Sequence, residues 1–258
     1  MKLKFTTALY IAVNAIILIF RTLQIILLTE PETAFLKDDY VVINVIGAAI
    51  SFLALLLLGY NSYRAIKQPV GIKISGVSTL ISATICGVSL IISCSFQMIY
   101  KSPAWKMTLV LGLLAALCVI LMAATSVTTF KFKKIFMLPI IVFWAYQFVM
   151  SYVFYTGRPL RVRTIYEIFA MCLVILFFIC MGKAYSNVNT KKNLQRLYPL
   201  GLMASSLCFI SVVPEFIAEI LGYSTNVSVS AVSITALFGS GVLIATVALN
   251  TFKRSNTI

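Results

Sequence analysis

The stretch LYPLGLMASSLCFISVVPEFIAEIL, Leu197–Leu221, carries both the signal that sets the fold class and the first pointer to a site. As a helix rising about 1.5 Å per residue, it is longer than the roughly 30 Å hydrocarbon core of a bilayer is thick. Yet it holds Glu215 and Glu219, two of the seven acidic residues in the chain. A charged side chain at the centre of a bilayer costs about 2.5–3.5 kcal/mol on insertion scales. A cost of that size calls for an offsetting partner. Arg21, inside the first apolar segment and at a similar distance from its end, is the natural candidate.

The same apolar character recurs along all 258 residues, of which 61% are hydrophobic and 11% charged. The mean hydropathy is +1.02. A soluble domain carries about 25% charged residues, so this composition reads as an integral membrane protein with no soluble domain left over. Eight apolar runs are long enough to span: Thr6–Leu28, Tyr40–Tyr60, Ile74–Met98, Met107–Val127, Ile135–Tyr155, Ile165–Met181, Leu197–Leu221 and Val227–Leu249. In lipid each must satisfy its own backbone hydrogen bonds, which predicts an all-α, polytopic membrane protein forming one domain over 1–258. Lys2 and Lys4 before an apolar run imitate a signal peptide, but the run continues past Arg21 with no small-residue cleavage site, so it reads as a retained first span.

The net charge of +14 sits in short loops rather than on a polar face, which sets nucleic acid aside as a partner. With the N-terminus inside, fourteen Lys and Arg fall on the inner side. Six fall outside: Lys37, Lys101, Lys106, Arg158, Arg161 and Arg163. The positive-inside rule then expects a cell-membrane protein with both termini cytoplasmic. The four acidic residues Glu30, Glu32, Asp38 and Asp39 share the outer side.

A weak internal echo is compatible with a parallel 4+4 duplication, with half-repeats 1–134 and 135–258. Gly59-Tyr60-Asn61-Ser62-Tyr63 parallels Gly182-Lys183-Ala184-Tyr185, and Thr129-Phe130-Lys131 parallels Thr251-Phe252-Lys253. Duplications of this kind are common in transport folds. A competing anchor, Pro69-Val70-Gly71-Ile72 against Pro199-Leu200-Gly201-Leu202, requires a longer offset and would break the pairing.

Polar residues inside the spans cluster in depth. Arg21, Gln24, Asn44, Gln97, Glu167, Glu215 and Glu219 all lie in the outer third of their segments, and only Asn14 sits deeper. Asn14, Arg21 and Gln24 share one side of a helix, as do Ser211, Glu215 and Glu219. Pro214 should kink its helix just before Glu215. Intramembrane ionisable groups mark ligand or proton sites, so Arg21, Gln24, Asn44, Glu167, Glu215 and Glu219 are the candidate ligand-binding or ion-pairing residues. Arg158, Arg161 and Arg163 form a candidate basic outer rim for an anion or a lipid headgroup, or a counterpart to the acidic loop.

Histidine is absent, and with it the commonest metal ligand and general base. The six cysteines lie within apolar runs, where they read as small hydrophobes, and no metal or cofactor is expected. No nucleotide loop and no hydrolase or metalloprotease motif is present, which argues against an enzyme or a self-sufficient ATP-driven pump. Three readings remain: a permease-like protein or membrane subunit binding a small polar or anionic molecule from outside, a non-catalytic scaffold or sensor working with other membrane subunits, and an outer-leaflet lipid-modifying enzyme.

Overall fold

A backbone in hydrocarbon has no water to bond with, and this chain answers that constraint with helices alone. The computed structural model describes residues 2–28, 40–66, 76–99, 105–124, 134–155, 162–186, 190–222 and 231–255. They form α1 (Lys2–Leu28), α2 (Val41–Ala65), α3 (Val77–Ile99), α4 (Trp105–Ala124), α5 (Met137–Tyr155), α6 (Val162–Tyr185), α7 (Thr190–Ile220) and α8 (Ala231–Ser255). A 3-10 turn, Lys134–Phe136, leads into α5. No strand occurs among the described residues. Six helices are long and apolar enough to cross a membrane, and α5 and α8 contribute the shorter apolar stretches Met137–Val153 and Thr235–Asn250. The chain is a membrane-embedded, multi-pass helical protein.

Six helices close a ring in which each packs on its neighbours: α3 on α4, α4 on α5, α5 on α6, α6 on α7, α7 on α8, and α8 back on α3. The α1–α2 pair docks on the outside of this ring against α7. Helix α7 is therefore the hub. Two-thirds of its span (67%) is buried in protein, against 28–44% for the other five spans.

The hub is long. Hydropathy places the seventh span at Leu197–Leu221, but the helix begins seven residues earlier, at Thr190. Its polar leading turns are amphipathic: Asn193 and Leu194 are buried while Lys192 and Arg196 are exposed. Hydropathy marks where hydrocarbon ends, whereas a helix continues as long as one face finds something to pack on. The helix runs unbroken through Pro199 and Pro214, which remove the backbone donors that Gln195 and Ile210 would otherwise receive. It stops at Gly222, whose φ of 83° lets its N–H return to the Glu219 carbonyl at 3.0 Å.

Small residues let the ring close tightly, as expected where lipid supplies no hydrophobic drive between helices. Gly239 of α8 lies so close to α3 that a Cβ there would stand 2.6 Å from Ser89 and 3.0 Å from the Cys86 backbone. Gly201 on α7 is similarly pressed between Ala248 and Phe177. At the other end of the α3–α8 seam, Asn250 donates to Ser78 (3.1 Å) and Thr79 (3.2 Å).

Candidate functional site

The site begins with a stripe on α1. Tyr10, Asn14, Ile17, Arg21 and Gln24 follow one another at spacings of four and three, and all are buried, while Ile11, Ile16, Ile19 and Leu23 between them are exposed. A 3.6-residue helix with that pattern turns one narrow face to protein and the rest to lipid. The face meets α7. Tyr10 and Ser205 hydroxyls lie 3.0 Å apart, and Asn14 Nδ2 donates to Ser206 Oγ at 2.9 Å and to the Tyr10 carbonyl at 2.8 Å.

These bonds fix the register of α1 on α7. Both helices run the same way through the bundle, so residues at a constant sequence offset share a height. The Tyr10–Ser205 offset is 195 and the Asn14–Ser206 offset is 192, and that from Arg21 to Glu215 falls between them. Arg21 and Glu215 therefore stand level, near the end of the bundle where α1 finishes and α2 begins, termed the upper end. Both are buried, at 5% and 4% exposure.

Above this level a relay of carboxamides crosses from α1 to α2. Arg21 Nη1 donates to Gln24 Oε1 at 2.6 Å, Gln24 Nε2 donates to Asn44 Oδ1, and Asn44 Nδ2 donates to the Tyr40 carbonyl at 3.1 Å. Close approach makes this possible: Phe20 of α1 lies over Gly47 of α2, where any Cβ would collide with the ring. Asn44 is fully buried, so its amide has exchanged water for these partners.

Helix α6 closes the third side. The Arg21 guanidinium lies 5.0 Å from the centroid of the Tyr166 ring, a cation–π arrangement. Phe52 of α2 stacks on the same ring at 5.4 Å with an interplanar angle of 12°. Tyr166 is 1% exposed, and its Oη has no hydrogen-bond partner among the described residues.

The candidate residues take these places. Arg21, Gln24 and Asn44 form one connected group, with Glu215 at the height of Arg21. Glu167 is buried but turns with Met171, the residue four further along α6. Met171 itself meets Ser151 of α5 at 3.8 Å. Glu219 is exposed near the end of α7, one turn beyond Glu215. Gln97 is buried on α3, whose partners are α4 and α8. In the basic rim, Arg158 and Arg161 lie outside the described residues, and Arg163 opens α6 with a side chain that also lies outside them.

The sequence reading passed over Tyr166, because an aromatic residue in an apolar run carries no charge to mark it. Its neighbour Glu167 was the visible signal; the packing of α1 on α6 is what shows the Tyr166 ring under the arginine. Among the described residues no group of three or more Cys, Asp or Glu is placed to hold a metal ion. The chain matches no protein-family model, no curated protein and no solved structure.

Proposed function

We propose that this protein is a permease-like membrane protein or membrane subunit that receives a small anionic molecule at Arg21 from the upper end, which is the outer face, both termini being cytoplasmic. The observation that supports this most directly is the buried Arg21 guanidinium held by Gln24 and Tyr166. An arginine at membrane depth is costly, and a well-packed apolar residue of similar volume would often serve stability as well or better. Its fork of N–H donors is suited to carboxylate and phosphate oxygens.

In this reading Glu215 is the counter-ion of the empty site. When a ligand anion takes the guanidinium, two negative groups face one cation in a low dielectric, and the carboxylate side is relieved by protonation. Anion arrival and proton uptake are thereby linked. Gln24 and Asn44 orient the guanidinium, and Pro214, one residue before Glu215, leaves that turn of α7 with one backbone hydrogen bond fewer.

A second reading, a scaffold whose polar layer fixes helix order, is favoured by the near-complete burial of Arg21, Gln24, Asn44 and Glu215. A cysteine at Ser211, one turn below Glu215 and itself buried, separates the two. In a background lacking the six native cysteines, an impermeant maleimide added from outside should label it, and saturating acetate or phosphate should slow the labelling. A site that stays unlabelled under all conditions supports the scaffold. Glu215→Gln should keep anion binding and lose its pH dependence; an unchanged pH dependence removes the titrating role.

A further inference from the structure

We infer that Tyr166 is a ligand-binding residue: its hydroxyl and the Arg21 guanidinium form a two-point donor site for the oxyanion of a small carboxylate or phosphate. This rests on the anion-binding reading of Arg21 and adds a second residue, on a different helix, to that site.

The argument starts from what the ring already does without its oxygen. Tyr166 stacks on Phe52 at 5.4 Å and carries the Arg21 guanidinium 5.0 Å above its face. A phenylalanine would do both, since stacking and cation–π attraction come from the ring. The hydroxyl contributes to neither. It is buried, and among the described residues no group bonds to it. A buried hydroxyl left without a partner destabilises a fold, and native proteins rarely retain one unless a water or a ligand completes it. What would complete this one must reach the edge of the ring that supports the guanidinium. A group touching both meets an O–H donor and a cationic N–H donor together, and accepts from each. That is the chemistry of an oxyanion, which has several lone pairs on adjacent oxygens and a charge to neutralise. A cation or an amine would meet the guanidinium as a like charge.

The test uses the full-length protein in lipid nanodiscs, with acetate, inorganic phosphate or chloride at matched ionic strength, read as the thermal unfolding midpoint against anion concentration. The expected result has two parts. Tyr166→Phe alone unfolds at or above the wild-type midpoint, because the change removes an unpaired hydroxyl and leaves the ring. Its apparent affinity for acetate or phosphate falls about tenfold, the loss expected for a hydrogen bond to a charged group. Whichever of the two anions stabilises the wild type assigns the ligand to carboxylates or to phosphates. A Tyr166→Phe protein that binds the anion as tightly as wild type overturns the inference, and loss of that binding in Arg21→Gln then leaves the anion reading of Arg21 standing. A midpoint several degrees lower in Tyr166→Phe without added anion also overturns it, since the hydroxyl would then have a structural partner. A wild-type midpoint that responds to neither acetate nor phosphate beyond chloride overturns both the inference and the reading beneath it.

Discussion

Asn14 of α1 donates through Nδ2 to Ser206 Oγ of α7 at 2.9 Å, and with the Tyr10–Ser205 contact that bond helps to tie the docked α1–α2 pair to the hub of the ring. Interhelical hydrogen bonds in membranes average about 0.6 kcal/mol and reach about 1.7. Ser206→Ala should therefore cost within that range, and Asn14→Ala somewhat more, because it also gives up the bond to the Tyr10 carbonyl. Unfolding of the purified protein in mixed micelles, titrated with a denaturing surfactant, measures both. A loss well above 2 kcal/mol for Ser206→Ala would mean that this contact carries more than one bond's worth of register.

The Gln24–Asn44 bond should behave as a coupled pair. Asn44→Ala leaves a buried amide donor of Gln24 without its acceptor, at a cost of about 1–3 kcal/mol. Replacing both residues by leucine removes that need along with the partner, so the double change should cost less than the sum of the two single changes, the remaining cost being the Arg21 bond to Gln24. The double-mutant cycle reads this directly, and additive effects would show that the two amides do not depend on each other.

Arg21 and Glu215 share a height and are both buried, so each should be sensitive to loss of the other's charge. Removing one member of a buried ion pair costs about 3–5 kcal/mol, and replacing both with apolar residues costs far less. Glu215→Leu is thus expected to be strongly destabilising, and Arg21→Met with Glu215→Leu to recover most of the loss. No recovery in the double variant would show that the two charges are balanced by other groups.

The glycines should divide by what a methyl group would meet. Gly239→Ala drives a Cβ into Ser89 and the Cys86 backbone, and overpacking of that kind costs about 1–3 kcal/mol. At Gly182 the nearest atom to a new Cβ is 3.8 Å away, on Met137. There alanine should be neutral or stabilising by up to about 1 kcal/mol, because a mid-helix glycine loses more backbone freedom than alanine does. The same surfactant titration compares them.

The orientation argued from Lys and Arg predicts a cytoplasmic C-terminus. A C-terminal fusion should fluoresce with green fluorescent protein and be inactive with alkaline phosphatase, while an alkaline phosphatase fusion truncated after Asp38 should be active. The reverse pattern would invert the proposed face of the site.

Residue order alone was enough for the class and for most helix positions. Runs such as Tyr40–Tyr60 and Ile135–Tyr155 correspond to α2 and α5 because hydrocarbon permits nothing but helices along that length of apolar chain. It also marked Arg21, Gln24, Asn44, Glu167 and Glu215 as unusual, since a polar side chain at membrane depth has a cost that is visible in one dimension. Helix ends were less legible. The extension of α7 back to Thr190 depends on Asn193 and Leu194 finding neighbours in the bundle, which no local pattern encodes.

Grouping was the part that composition and spacing left open. Glu167 and Tyr166 are adjacent in the chain, and a helix sends adjacent side chains about 100° apart. That the Tyr166 ring lies under Arg21 follows from α1 and α2 packing where they do, with Phe52 against Tyr166. Likewise Glu215 is buried and Glu219, one turn on, is exposed, although both lie on one helical face. A one-dimensional pattern records the depth of a residue in the membrane and the side of the helix it occupies. Its neighbours are set by the rotation and register of eight helices against each other, which small residues such as Gly47, Gly201 and Gly239 settle through close approach.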